Sequence, residues 1–178
     1  DQAGAATTLG NLGNVYASIG DSAKALSIYA RALTVQQALG DVVGAARTLG
    51  NIGVVHERLG DYAKALSCHE DALAAKRALG DKAGAAGTLG NIGLVHEALG
   101  DYGKALSCHE RAFAAKEALR DKAGAAMTLG NIGIEALTGF LSAFLNVRIV
   151  APVIAGIALA ATIGAGATVG AGSTVTKA

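Results

Sequence analysis

The hexamer TLGNIG occupies residues 48–53 and returns at 88–93 and 128–133, and a near copy, TLGNLG, occupies residues 8–13. The interval is 40 residues each time. Self-similarity at a fixed period of about 20 to 50 residues is the signature of a repeat architecture, in which each unit stacks on its neighbours. The recurrence of this hexamer therefore predicts a fold built from stacked repeats.

Each unit contains two stretches in which apolar residues recur at helical spacing. In the second unit the stretches run roughly from residue 43 to 59 and from residue 63 to 79. Leu49, Ile52 and Val55 share one helical face, and strict alternation of apolar and polar residues is absent. The pattern predicts two helices per unit. The units start at Asp1, Asp41, Asp81 and Asp121.

Gly-Asp pairs separate these predicted helices. The pairs at 60–61 and 100–101 fall between the two helices of a unit, and those at 40–41 and 80–81 fall between units. Glycine adopts the left-handed conformation that ends a helix, and aspartate accepts hydrogen bonds from the free amides that begin the next one. We therefore expect short turns and stacked helix pairs that share one continuous core.

The hexamer falls inside the first helix of each unit. A glycine in a helix interior costs about 1 kcal/mol relative to alanine, so a recurring glycine there needs a packing reason. A phosphate-binding loop would require a preceding strand and a Gly-Lys-Ser/Thr ending, and the sequence has neither. We expect close helix–helix approach at the last glycine of each copy, which is Gly13, Gly53, Gly93 or Gly133.

With these features the sequence resembles tetratricopeptide repeats of the 40-residue type, as in kinesin light chain and Pins-type spindle-orientation adaptors. The family's Leu-Gly pair is matched by Ile52-Gly53, its turn glycine by Gly60 and its second-helix aromatic by His69, whereas its tryptophan site holds leucine. The resemblance covers residues 1–133. It implies an all-α fold, a right-handed superhelix of helix pairs (an α-solenoid), with three full repeats and the first helix of a fourth.

The resemblance also implies that the first helices line a concave groove that binds a peptide or a partner helix. Asparagine recurs there once per unit, and a side-chain amide both donates and accepts hydrogen bonds. Val54 and Leu94 are expected to hold apolar anchors, with Arg58 at the rim. Alternatively, the asparagines only make hydrogen bonds between helices. The candidate binding residues are Asn11, Asn14, Arg47, Asn51, Val54, Asn91, Leu94 and Asn131.

Composition favours a protein-binding scaffold over other classes of protein. The formal net charge is +1 and no basic stripe is present, so nothing indicates nucleic-acid binding. Cys68 and Cys108 occupy the same place in successive units, which predicts a reducing, cytoplasmic setting rather than a disulfide framework. We expect a non-catalytic scaffold that binds a protein or peptide and needs no cofactor.

The four histidines and two cysteines raise the possibility of a metal site. Each histidine is followed by glutamate, but the second histidine of the zinc-protease motif is missing. The first unit has Tyr16 where the second has His56, and Tyr29 where the second has His69. These positions are therefore interpreted as packing sites that any fitting ring can occupy, and no metal or catalytic site is predicted.

The tail, residues 134–178, departs from the repeat, and no charged residue occurs in 149–176. One interpretation is a membrane span at 149–169, since about 20 apolar residues cross a bilayer. It would make the chain a membrane-tethered recruitment platform. A second interpretation applies to 134–145, where an apolar segment is expected to cap the open end of the stack.

A third interpretation of the tail rests on the stretch IGAGATVGAGSTV, in which Ile163, Val169 and Val175 recur every six residues. This stretch resembles the last coils of the left-handed β-helix in the bifunctional N-acetylglucosamine-1-phosphate uridyltransferase/glucosamine-1-phosphate acetyltransferase. Such coils would make the chain a self-assembling structural protein that forms homo-oligomers through its tail. The stretch carries no histidine, so acetyl transfer is not implied.

Overall fold

The structure, a computed structural model, describes the backbone of residues 1–145 and the side chains of residues 1–134. Seven helices and no strand lie within this described part of the chain. The expected all-α fold of two helices per unit is confirmed, and helix starts in the second unit differ by one residue from those predicted. The helices are α1 (Gln2–Ser18), α2 (Ser22–Ala38), α3 (Val42–Arg58), α4 (Tyr62–Ala78), α5 (Lys82–Ala98), α6 (Tyr102–Ala118) and α7 (Lys122–Leu145).

The turns between helices use the Gly-Asp pairs as expected. The glycine of each pair has a φ angle between 68° and 84°, the left-handed region that glycine occupies without steric cost. The aspartate then caps the next helix, as where the Asp81 carboxylate accepts from the Gly84 amide at 2.8 Å. Each pair therefore ends one helix and starts the next within three residues.

Two later turn positions depart from this pattern. Arg120 replaces the glycine after α6 and still takes a φ of 58°. Phe140 and Leu141 stand where the next Gly-Asp pair would fall, and α7 continues to Leu145, over 24 residues where α1 to α6 have 17 each. Without glycine to end the helix, the fourth repeat does not form the usual turn in the described part.

The helices pack as consecutive pairs, α1 with α2, α3 with α4 and α5 with α6, and α2 and α4 also pack on the first helix of the next repeat. The first helices additionally contact one another, α1 with α3 and α3 with α5. Second helices do not contact one another to the same extent within the described residues. The first helices therefore line the inner side of the curved stack.

The recurring glycine gives each helix pair its close approach. A Cβ atom on Gly53 would lie 2.6 Å from Cε1 of His69, which is fully buried. Gly13 faces the ring of Tyr29 in the same way, and Gly93 faces the ring of His109. Gly133 differs, because no described atom lies within 4 Å of the same point there. The packing explanation thus holds for the first three repeats, and for Gly133 it stays a prediction.

Residues 1–135 form one compact unit and residues 136–178 a second. The predicted boundary after residue 133 stays a prediction, and so does a capping role for 134–145, where α7 continues as a helix. The predicted membrane span at 149–169 and the six-residue coils lie outside the described residues. No helix within residues 1–145 is both long and apolar enough to cross a membrane.

Candidate functional site

The predicted binding residues lie in stripes along the first helices, because residues three, four or seven apart share a helical face. The stripe is polar on α1, carries arginine on α3 and is mostly apolar on α5 and α7. Its members are Asn11, Asn14 and Ser18 on α1; Arg47, Asn51, Val54 and Arg58 on α3; Asn91, Leu94 and Ala98 on α5; and Asn131 and Ile134 on α7.

A hydrogen-bonded group joins the stripes of α1 and α3. The Asn51 side chain donates from Nδ2 to Oδ1 of Asn14 at 2.9 Å. The Tyr29 hydroxyl donates to the same oxygen at 2.7 Å. Tyr29 is 2% exposed, so its hydroxyl could not be left unpaired without a desolvation cost. Together the two bonds fix Asn14 in place, and the one from Asn51 links the first repeat to the second.

Arg58 completes this group from the last turn of α3. Its Nη1 donates to the backbone carbonyl of Ala17 at 3.0 Å, near the C-terminal end of α1. Carbonyl oxygens at a helix end have no intrahelical partner and carry partial negative charge, so the guanidinium is stabilised there. The contact holds a positive charge between the two first helices.

These side chains surround a pocket of about 240 Å³. Arg58 is the one charged residue among those that line it. Burial raises the pKa of the Tyr29 hydroxyl, against the opposing effects of the Arg58 charge and of the nearby Asn51 side chain. The hydroxyl therefore stays protonated at neutral pH and remains a donor. The lining residues are Asn14, Ala17, Ser18, Tyr29, Asn51, Val54, Val55 and Arg58.

Sequence reasoning selected three residues of this pocket, Asn14, Asn51 and Val54, and placed Arg58 at its rim. The other predicted residues lie elsewhere on the same helices and do not line it. Asn11 and Arg47 are exposed, Asn91 and Asn131 are half-buried, and Leu94 is 37% exposed. A continuous ladder of asparagines that binds a ligand stays a prediction. The alternative, in which the asparagines only make hydrogen bonds between helices, also stays a prediction. The bond from Asn51 to Asn14 is of this interhelical kind.

Four residues that line the pocket were not predicted as binding residues, namely Ala17, Ser18, Tyr29 and Val55. For Tyr29 the sequence held a signal. Tyr29 is the one hydroxyl-bearing ring at its repeat position, since His69 and His109 replace it later. Asn14 is likewise the one polar residue at its position, where Val54 and Leu94 follow. A polar ring tip and a polar neighbour occur together in the first repeat only, which indicates that they contact each other.

The histidines occupy the interiors of the helix pairs. His69 is fully buried, and neither ring nitrogen has a hydrogen-bond partner within the described residues. Its pKa is lowered to about 4, mainly by burial and further by Lys76. His109 is equally buried, with Nε2 3.5 Å from a Glu97 oxygen. Within the described residues, no three histidine, cysteine or acidic side chains are grouped so that they could hold a metal ion.

Comparison with protein families identifies the repeat. Profiles described as tetratricopeptide repeat match residues 4–78 and 88–123. These segments contain 75 and 36 residues, which is 111 of the 178 in the chain. No curated protein matches the sequence.

Solved structures match the fold at low sequence identity. BtubC (BKLC) from P. vanneervenii matches with a TM-score of 0.72 and 22% identity, over 100% of this chain and 70% of its own. Aspartyl phosphate phosphatase F from Bacillus subtilis matches with a TM-score of 0.66 and 18% identity, over 67% of this chain and 32% of its own. The tetratricopeptide-repeat domain of Arabidopsis FLU matches with a TM-score of 0.63 and 22% identity, over 66% of this chain and 99% of its own. At these identities the similarity shows the fold alone.

Proposed function

Because the chain belongs to the tetratricopeptide repeat family, we propose that it is a non-catalytic scaffold that binds a peptide or a partner helix along the inner face of α1, α3 and α5. The fold is consistent with a protein-interaction scaffold. The observation that carries the proposal is the pocket between α1 and α3, where Asn14, Asn51 and Val54 converge with Arg58.

The pocket offers hydrogen-bonding groups that match a peptide backbone. Each peptide unit presents one N–H donor and one carbonyl acceptor. The internal bonds use Oδ1 of Asn14 and one hydrogen on Nδ2 of Asn51. Nδ2 of Asn14 and Oδ1 of Asn51 are left to pair with a ligand, and the Arg58 guanidinium has donors beyond the one used on Ala17.

Apolar residues extend the proposed surface beyond the pocket. Val54 lines the pocket next to the amides, and Leu94 follows at the same place in α5 with 37% of its surface exposed. Covering the exposed part of this side chain adds apolar burial at about 25 cal/mol per Å² removed from water. We expect the ligand to place a polar segment over α1 and α3 and an apolar side chain against Leu94.

The composition of the pocket supports a binding role rather than catalysis. Its lining contains no carboxylate, histidine or cysteine, and the Ser18 hydroxyl donates to the Asn14 carbonyl at 2.9 Å and has no such base beside it in the lining. The phosphatase among the matched structures is similar in fold at 18% identity, and that similarity carries no activity to this chain.

The test begins with peptides selected against the full chain from a random display library. The affinity of the tightest peptide is then measured for the wild type and for Asn51→Ala and Asn91→Ala. We expect Asn51→Ala to weaken binding by about tenfold, because it removes hydrogen bonds to the ligand and also releases Asn14. Asn91→Ala tests whether the ladder extends to the third repeat.

Arg31→Ala is the matched control, because Arg31 is an exposed residue of α2 outside the proposed surface. Its affinity for the peptide should equal that of the wild type. Equal affinities for the wild type and for both asparagine variants would remove the groove proposal. Circular dichroism on each variant ensures that a lost fold is not taken for lost binding.

A further inference from the structure

A groove opens between α4 and α6, the second helices of two neighbouring repeats. Both helices pack against α5, and within the described residues they do not pack closely against each other. α3 precedes and α7 follows these three helices, so the opening is not an end of the array. Its volume is about 320 Å³. We call this space the outer groove, with a floor of Leu73, Leu89 and Ile92 and a rim of Glu70, Arg77 and Arg111.

The floor of the outer groove is apolar. Leu73, Leu89 and Ile92 are 7%, 6% and 5% exposed, so each reaches the groove with only a small part of its surface. All three belong to one core cluster to which α6 also contributes. An apolar side chain of a ligand that enters the groove would therefore extend an existing core.

The rim of the outer groove carries two guanidinium groups. Arg77 lies on α4 and Arg111 on α6, so the groove has one arginine on each side. Both are exposed, and neither forms an ion pair with another residue of the described part of the chain. Glu70 is the one carboxylate in the lining. The two arginines therefore leave the rim with a net positive charge.

The two arginines are particular to this groove, whereas the residue types of its floor recur. One repeat earlier, between α2 and α4, the floor positions hold Leu33, Leu49 and Ile52. At the rim positions, Gln37 takes the place of Arg77 and Asp71 takes the place of Arg111. The helices of the two repeats pack in the same order. Their packing therefore does not require arginine at either rim position.

Arginine on both sides of an apolar floor matches the chemistry of an acidic ligand. A guanidinium binds a carboxylate through two parallel hydrogen bonds, and this pairing is specific for the planar shape of both groups. Clusters of arginine are a recurring means of recognising acidic motifs in peptides. The apolar floor adds a place for an uncharged side chain between the acidic ones.

We propose that the outer groove binds an acidic segment of a partner protein. An apolar side chain of that segment enters the groove, and the carboxylates that flank it pair with Arg77 and Arg111. The stripes that contain Asn51 and Leu94 do not contribute these residues to the lining. The outer groove is therefore a second binding surface, separate from the inner side of the array.

The probe is a synthetic peptide, Glu-Glu-Leu-Glu-Glu, capped at both ends. It is added to the isotope-labelled full chain, and binding is followed through amide chemical-shift changes. We expect saturable changes centred on Arg77, Ile92 and Arg111, and added salt should weaken binding because it screens exposed charges. The matched probe has lysine in place of each glutamate and should cause none of these changes.

The earlier repeat supplies the substitutions for the test. Arg77→Gln and Arg111→Asp introduce the residues that the equivalent groove already contains, so the fold should tolerate them. We expect Arg77→Gln to weaken binding of the acidic peptide about threefold, the loss of one exposed ion pair, and Arg111→Asp about tenfold, since it also adds repulsion. The converse double variant, Gln37→Arg with Asp71→Arg, should create a second set of shift changes over α3.

Two controls separate the outer groove from other surfaces. Arg31→Asp makes the same change of charge as Arg111→Asp, at the equivalent position of α2, which does not line the outer groove. It should leave binding of the acidic peptide unchanged. Asn51→Ala should also leave it unchanged, even where that variant loses the ligand of the inner side. Thermal unfolding of each variant verifies that the array is intact.

Four results would overturn the proposal. The acidic peptide causes no shift changes at millimolar concentration, or the lysine peptide causes the same changes. The third result is equal affinity of the wild type, Arg77→Gln and Arg111→Asp for the acidic peptide. The fourth is loss of binding in Asn51→Ala, which would assign the acidic peptide to the inner side.

Discussion

Gly50 and Gly53 lie one helical turn apart in α3 and face opposite environments. A Cβ atom on Gly53 would lie 2.6 Å from the buried ring of His69, whereas one on Gly50 would meet nothing within 4 Å. Gly53→Ala should therefore destabilise the fold by about 1 to 3 kcal/mol, the usual cost of overpacking a core. Gly50→Ala should stabilise it by up to about 1 kcal/mol through helix propensity. Urea unfolding measures both.

Both variants make the same chemical change in the same helix. Opposite signs of their effects on the free energy of unfolding would therefore reflect the different surroundings of the two glycines. A stabilising Gly53→Ala would mean that the His69 ring moves aside without cost. A destabilising Gly50→Ala would mean that open space at this position is needed for folding.

The pKa of His69 predicts how stability depends on pH. Burial lowers this pKa from 6.5 to about 4 in the folded chain, so the unfolded chain binds the proton first as the pH falls. The contribution to stability is complete above about pH 6.5, decreases as the pH falls, and is fully lost below about pH 4, for a total of about 3 kcal/mol. Urea unfolding at a series of pH values should show this decline.

His69→Phe is the matched variant, because it keeps a buried ring and removes the titrating group. It should unfold with a shallower decline between pH 6.5 and pH 4. A decline as steep as that of the wild type would assign the acid sensitivity to other groups.

At the residue scale, the repeat period predicts equivalent positions and not the contacts between different positions. The place of Asn51 in its copy of the hexamer follows from the period of 40 residues. The bond from Tyr29 to Asn14 does not, because a period compares equivalent residues and these two lie at different repeat positions on different helices. The packing of Gly133 stays a prediction, because the residues that would form the second helix of the fourth repeat fall outside the described part of the chain.

The turn after α6 shows how one residue at a helix end affects the stability of the chain. Arg120 takes a φ of 58°, where the earlier turns have glycine. A residue with a Cβ atom in the left-handed region costs roughly 1 to 2 kcal/mol. Arg120→Gly should therefore stabilise the chain by about 1 kcal/mol, as measured by the midpoint of urea unfolding.

Gly80→Ala makes the reverse change at an equivalent turn, where φ is 70°, and should destabilise by about the same amount. Equal effects of the same sign in Arg120→Gly and Gly80→Ala would show that the backbone conformation of these turns does not control stability.

At the element scale, the helices were predictable because local signals agreed. Apolar spacing, the glycine that ends each helix and the aspartate that starts the next all placed the same boundaries in residues 1–118. The end of α7 was less predictable, because its Gly-Asp pair is replaced by Phe140 and Leu141. Without that pair, the sequence offered several structures for the tail and no local feature that selected one.

At the scale of the whole array, the side chains between repeats define the order of stacking. Gln36 pairs with Thr48 and Lys76 pairs with Thr88, each across a second helix and the next first helix. Repeat arrays derive their stability from such nearest-neighbour interfaces. The stacking also brings α1, α3 and α5 together on the inner side, where the proposed groove lies.

Binding of a ligand to this inner side can be observed residue by residue in solution. Amide chemical-shift changes of the isotope-labelled full chain are mapped on addition of the peptide selected by display. We expect the largest changes on the stripes of α1, α3 and α5, centred on Asn14, Asn51 and Leu94. Changes confined to the exposed faces of α2, α4 and α6 would contradict it.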